Sequence, residues 1–339
     1  MRFGFKAGVL FLASAAVFAV SLRSRVEAAG ESPLQFLKSI PLPGVEGRFD
    51  HFALDLQGNR LFAAALGNGS VEVFDLKTDR RLHTIPGLKE PQGIAYAGDL
   101  EKLFVASGGD GTCKVFDGKT YELLSTIALG DDADNVRYDF AMHRIYVGYG
   151  AGALGVIDAR TNRLLGRIEL NAHPESFQLE KNGNRIFVNV PDANEIVVID
   201  REKRSVVAEW PLGSYHANFP MALDEAHHRL FVGCRRPAEL EVFDTESGKE
   251  VARFPVVGDT DDLWYDAVRR MVYVSGGQGF LDVIRQTDAD HYKSIARAQT
   301  AAGARTSFFA ADLNRLFLAV PQRGAQGAEL REFEVTNRP

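Results

Sequence analysis

The chain has 339 residues, 45% of them apolar and 25% charged, with a formal net charge of −6 at pH 7. This is the balance of an ordinary globular chain with ample core, not of a disordered one, and its acidic excess argues against holding nucleic acid or an anionic membrane by bulk attraction. The two cysteines, Cys113 and Cys234, are too few for a disulfide framework.

In chain order the first feature is a leader. Arg2 and Lys6 precede an apolar run over residues 7–20, and Val26-Glu27-Ala28 offers small residues where a signal peptidase cuts. The run has 14 residues, short of the roughly 20 that a spanning helix needs. The pattern predicts a signal peptide over residues 1–28, export to the periplasm or beyond, and one folded domain over residues 29–339 with no stable membrane span after cleavage. Arg23 and Arg25, just past the run, keep an uncleaved anchor open as the alternative. Cleavage after Ala28 removes four basic residues and one acidic residue, leaving a net charge of −9.

Residues 34–40, followed by Pro41, resemble a later stretch at 81–85 followed by Pro86. Between them come apolar stretches at 52–55, 60–65 and 70–74, so four strands separated by turns make one unit. The aromatic of the second stretch recurs at Phe62, Phe104, Tyr146, Phe187, Phe231, Tyr273 and Phe317, at intervals of 42, 42, 41, 44, 42 and 44 by subtraction. A period in the low forties with four strands per unit is that of propeller blades. The expectation is an all-β, seven-bladed β-propeller with four antiparallel strands per blade.

The third strand of a blade ends in an acid before a polar turn: Phe74-Asp75, Phe116-Asp117, Ile157-Asp158, Ile199-Asp200 and Phe243-Asp244. An Asp there accepts backbone N–H bonds within the turn. Blades six and seven depart, with Ile284-Arg285 and Phe333-Glu334. The chain closes on residues 332–335, which match a third strand, so residues 34–40 are expected to complete the last blade and remove its open edge. Cys113 and Cys234 fall in blades on nearly opposite sides of such a ring, too far apart for a disulfide, and read as small buried hydrophobes.

Apparent catalytic motifs dissolve on this repeat. Gly150-Ala151-Gly152-Ala153-Leu154-Gly155 fits G-x-G-x-x-G, but a strand follows it where a dinucleotide site needs a helix N-terminus. The segments Gly108-Gly109-Asp110-Gly111 and Gly276-Gly277-Gln278-Gly279 occupy the same turn, between second and third strands. Of the histidines, His143, His227 and His228 fall in turns before second strands, and His83 and His291 in outer strands. His51, His173 and His216 remain.

These three lie where residues from all blades converge on the mouth of the central channel. Around the ring the positions opening the innermost strands read Asp50-His51, Gln92-Gly93, Asp134-Asn135, Glu175-Ser176, Phe219-Pro220, Asp261-Asp262 and Arg305-Thr306, and the loops before them add Asp131, Asp132, His173, His216 and Asp259. The candidate ligand-binding set is His51, Asp134, Asn135, Glu175, His216, Asp262 and Arg305, with one residue of each pair expected to face the axis by strand alternation. Within it, Glu175, Asp262 and His51 are the candidate ligands for a divalent cation, oxygens favouring calcium or magnesium and imidazole admitting zinc. Turn-capping acids and a neutralising Arg305 are the structural explanation of the same residues. No cofactor is required by any motif.

Arg144-Ile145-Tyr146-Val147, followed by Val156-Ile157-Asp158-Ala159-Arg160-Thr161-Asn162-Arg163, resembles the YVTN-type propeller repeat, and Pro91-Gln92-Gly93-Ile94-Ala95 matches the Pro-x-Gly opening of its next blade. The resemblance covers roughly residues 34–335, blades five to seven keeping only the apolar skeleton, and the chain is similar to exported bacterial proteins of the YncE-like kind. That resemblance implies binding or scaffolding outside the cytoplasm, of a small molecule or a protein partner, rather than a defined reaction. The WD40 signature is missing, since neither Trp210 nor Trp264 is followed by Asp. The favoured expectation is a binding or assembly module and not an enzyme, acting as a monomer because a closed ring needs no second copy. The alternatives are a metal-assisted, lactonase-type hydrolase using a channel-mouth cation and the non-redox partner subunit of a periplasmic oxidoreductase.

Overall fold

The computed structural model describes residues 32–336, together with Met1 and Gly4. The rest of the expected signal peptide, residues 29–31 and residues 337–339 lie outside the described residues. Among those described, no helix is long and apolar enough to cross a membrane.

The strands form seven four-stranded antiparallel sheets, each a run of hairpins. Blade one shows the plan: Phe52–Asp55, Arg60–Ala65, Ser70–Asp75 and Arg80–Ile85, from the axis outward. The innermost strands touch one another all the way round, the last of them, Ser307–Ala310, packing back on Phe52–Asp55. The seven-bladed expectation holds, with strand limits shifted by a residue in blade one.

The core is divided into seven wedges, one between each pair of neighbouring blades. Second strands are buried on both faces, which is why they read as continuous apolar runs and not as alternating ones. Phe62 points into the wedge shared with blade two, while Leu61, Ala63 and Ala65 point into the wedge shared with blade seven. All seven repeat aromatics are buried. Each full burial contributes roughly 1.5–3 kcal/mol, so the period seen in the sequence is the spacing of the core itself.

Blade seven is built from both ends of the described chain. Ser307–Ala310, Arg315–Val320 and Glu329–Val335 take Leu34–Pro41 as their outermost strand, paired antiparallel from Leu34↔Val335 to Pro41↔Glu329. Phe36 meets Phe333 edge-on at 5.7 Å between ring centres. The expected closure is what the structure shows.

The turns behave as their acids require. Asp75 Oδ1 accepts the N–H of Lys77 at 2.8 Å, Asp117 Oδ1 those of Lys119 and Thr120 at 2.8 Å each, and Asp158 Oδ1 that of Thr161 at 2.7 Å. Blade six, which lacks the acid at Arg285, uses Asp288 three residues later, accepting from Asp290 and His291 at 3.0 Å. His291 therefore belongs to a turn and not to the outer strand Tyr292–Gln299. Gly150 has φ +62°, the conformation of a tight turn, so the G-x-G-x-x-G segment opens as a hairpin connection and continues into the third strand of its blade, Ala153–Asp158. Cys113 and Cys234 are free and buried.

Candidate functional site

The channel mouth owes its geometry to a repeated backbone irregularity. Asp50 N–H donates to the carbonyl of Ala64 at 2.8 Å, and the N–H of Ala64 donates back to His51 at 3.0 Å, so two residues oppose one. The same two-against-one arrangement sets Asp134 and Asn135 against Gly148, and Glu175 and Ser176 against Asn189. A β-bulge of this kind interrupts strict alternation and re-aims side chains. Both members of these three pairs consequently line one hollow, where alternation predicted one of each.

That hollow is about 400 Å³, counted to its open end, and receives at least one side chain from every blade. Blade one supplies Asp50 and His51, blade two Gln92, blade three Asp134 and Asn135, blade four Glu175 and Ser176, blade five Phe219 and Arg235, blade six Asp261, and blade seven Arg305.

His51 sits among carboxylates. Its Nδ1 is 3.6 Å from Asp262 Oδ1, and its Nε2 is 3.5 Å from Asp50 Oδ1 and 3.9 Å from Asp134 Oδ1. Burial opposes a charge on this imidazole, but Asp262, Asp50 and Asp134 together outweigh it and raise its pKa to about 10. Asp50, desolvated and with Asp134 and Asp261 nearby, is pushed up to about 7 even against His51. His173 donates from Nδ1 to the carbonyl of Gly150 at 2.7 Å and places Nε2 4.0 Å from Asp134 Oδ2. Burial lowers the affinity of His173 for a proton, yet Asp134 and the Gly150 carbonyl raise its pKa to about 9. Glu175 lies well above the usual carboxylate range, first through burial and then through Asp134 and Asp261. Asp134 is desolvated too, but His173 and His51 hold it below its ordinary value.

Blades five to seven close the ring with arginines. Arg305 binds Asp259 Oδ1 at 2.8 Å and Asp261 Oδ2 at 2.9 Å. Arg235 reaches Asp261 from the other side and donates to the carbonyl of Thr260 at 2.7 Å, its guanidinium 3.7 Å from the centre of the Phe219 ring.

Of the candidate residues, His51, Asp134, Asn135, Glu175 and Arg305 line the hollow. Asp262 is turned behind it, Oδ2 accepting the N–H of Ser307 at 2.8 Å while Oδ1 faces His51. His216 is exposed and lines a separate surface hollow with Asp192 and Arg236. Glu175, Asp262 and His51 do not form one group among the described residues. The triplets whose ligand atoms lie within 4.8 Å of one another are Asp50–His51–Asp134 and Asp134–His173–Glu175, joined through Asp134.

Arg48 and Arg235 are site residues that sequence reasoning missed. Arg235 is carried into the mouth by an extension visible only in the structure, its strand, Arg229–Arg236, running eight residues where the second strands of the first four blades run six. Two acceptors in the mouth are buried without a hydrogen bond among the described residues, Asp134 Oδ1, which lies 3.9 Å from His51 Nε2, and Asn135 Oδ1.

No protein-family model matches the chain. It is 27% identical over 199 residues to a protein of Salmonella typhi described as "Uncharacterized protein YncE", and 26% identical over 199 residues to the protein so described in Salmonella typhimurium. Each match covers 56% of this chain and 55% of the other, so it spans about half the length of those relatives. Among solved structures, a chain of a mitotic checkpoint complex superposes with a TM-score of 0.74 at 13% identity, over 98% of this chain and 99% of that one. A chain of Kuenenia stuttgartiensis hydrazine synthase gives 0.72 at 16% identity, over 82% and 95%. At those identities the likeness is one of fold alone. The chain is YncE-like in sequence and seven-bladed in structure.

Proposed function

We propose that this chain is an exported binding or scaffolding module that takes a small, hydrogen-bond-donating group into the mouth of its channel. The observation that carries the reading is the pair of buried acceptors without a hydrogen bond, Asp134 Oδ1 and Asn135 Oδ1, on residues lining a hollow to which every blade contributes. A buried acceptor without a partner costs about 1–3 kcal/mol, and a ligand offering an ammonium, hydroxyls or a cation relieves that cost on binding. The fixed ion pairs of Arg305 and Arg235 hold the opposite wall in place and favour a preorganised receptor. The leader pattern supports export.

A metal ion is the second form such a donor can take, since both triplets combine imidazole with carboxylate. With His51 at about 10 and His173 at about 9, a cation must displace protons to bind, so its affinity rises steeply with pH. A metal-assisted hydrolase needs in addition an open metal position and a basic group free to activate water.

The test is calorimetric titration of protein purified without chelator, using zinc, calcium, a primary amine and a polyol. Saturable binding of one class is expected, weakened tenfold or more by Asp134→Ala. Failure of all four classes to saturate, or binding that Asp134→Ala leaves untouched, overturns the reading.

A further inference from the structure

Beside the mouth lies a second hollow of about 550 Å³, counted to its open end, with Arg48, Arg305, Arg323, Gln322 and Asp259 among its walls. Three guanidiniums meet one carboxylate there. Arg305 is committed to Asp259 and Asp261. Arg48 has only Asp50, at 3.7 Å, and Arg323 pairs with no carboxylate among the described residues. Among the guanidiniums of this hollow Arg323 is thus left without a carboxylate among the described residues, and Arg48 is held only by a long ion pair.

Arg323 is seated and not merely exposed. Its backbone is fixed by mutual N–H to carbonyl bonds with Gln326, 2.9 Å each way, in the hairpin between the second and third strands of blade seven. Its guanidinium lies flat on Gly303, where a Cβ would come within 2.7 Å of Nε, 2.8 Å of Cζ and 3.0 Å of Nη2. Gly303 has φ +82°, so glycine both permits the turn and clears the space the guanidinium occupies. A planar fork held in this way matches a carboxylate or phosphate through two parallel N–H···O bonds.

We propose that this hollow binds the carboxylate or phosphate group of a small organic anion. Arg323 is the fork, Arg48 the second charge and Gln322 a neutral donor, while Arg305 forms the fixed wall shared with the mouth. The site stands on its own geometry and does not require the mouth to be filled.

The experiment is calorimetric titration of the folded chain with inorganic phosphate and, separately, with succinate, ionic strength being held constant with chloride. One-site saturation by at least one anion is expected, and the anion preferred identifies the chemical class. Arg323→Ala weakens it tenfold or more, Arg48→Ala threefold or more, and Arg80→Ala, which removes the same charge from an exposed outer strand, leaves it unchanged. Arg323→Lys keeps the charge and loses the fork, so it binds between wild type and Arg323→Ala. Absence of saturation by both anions, or equal weakening by Arg80→Ala and Arg323→Ala, overturns the proposal.

Discussion

Three blades carry a buried acid at the same position of the third strand and give it different company. Glu72 is met by Arg81 at 3.2 Å and Thr84 at 2.7 Å, and Asp282 by Arg297 at 2.6 and 2.7 Å. Glu241 faces Arg253 across the strands, but that arginine turns to Glu250 at 2.7 Å and to the Tyr215 hydroxyl. Burial, with Glu250 and Glu239 nearby, pushes Glu241 up to about 8. The folded protein thus keeps a proton that the unfolded chain sheds near 4.5, so stability falls as pH rises from there to about 8 and then levels. Glu241→Gln is expected to stabilise by on the order of 2 kcal/mol at pH 8 and to change little at pH 4; urea unfolding at the two pH values checks both. An equal effect at both would mean that the charge is not the cause. Neither this contrast nor the inward turn of both Asp134 and Asn135 was legible in the sequence. Partner choice by Arg253 is a rotamer decision, and strand alternation carries no mark of a bulge.

Elements are joined by a device that was present in the sequence and is clear only in space. Second strands begin with a cation at Arg60, Lys102, Arg185 and Arg229, and each reaches a turn of the next blade. Arg60 Nη1 donates to the Gly118 carbonyl at 2.5 Å, Lys102 Nζ to that of Ala159 at 2.9 Å, and Arg185 Nη1 to that of Thr245 at 2.6 Å, while Arg229 Nη2 pairs with Asp290 at 2.7 Å. Arg60 also grips Asp55 Oδ2 at 2.9 and 2.7 Å and donates to the Tyr121 hydroxyl at 2.8 Å. Arg60→Ala leaves the Asp55 carboxylate buried and unpaired, at a cost of about 3 kcal/mol. Arg60→Lys recovers only part, because an ammonium cannot hold both ends. Denaturant midpoints at constant slope measure this, and a loss under 1 kcal/mol would sink the stitching role. The outer strands show a further regularity. Each carries one extra residue, and all seven are apolar: Leu82, Leu124, Leu165, Val207, Val251, Ile295 and Leu37. A bulge at this edge twists it away from pairing with another sheet. In the sequence these residues look like ordinary members of an apolar stretch, which is why the fold was legible and its edge protection was not.

For the molecule as a whole, the ring depends on Leu34–Pro41, the strand farthest in sequence from the blade it completes. Its closure was legible because the last repeat visibly lacked a fourth strand. The strand matches seven residues of Glu329–Val335 and buries Leu34 and Ile40. At about 1 kcal/mol for each net hydrogen bond and about 2 kcal/mol for each buried aliphatic side chain, its loss costs on the order of 8 kcal/mol. That is comparable to the whole stability of a typical domain, and it also uncovers the Glu329–Val335 edge for pairing between molecules. A chain beginning at Pro41 is expected to melt about 15 °C or more below one beginning at Ser32, and to scatter light before it unfolds. A synthetic peptide covering residues 32–41 should restore both properties in proportion to its concentration, because it binds only the folded ring. Equal melting of the two chains would mean that the blade holds without its outer strand. Failure of the peptide to rescue a destabilised chain would mean that covalent connection through residues 42–51, and not strand pairing, keeps the ring shut.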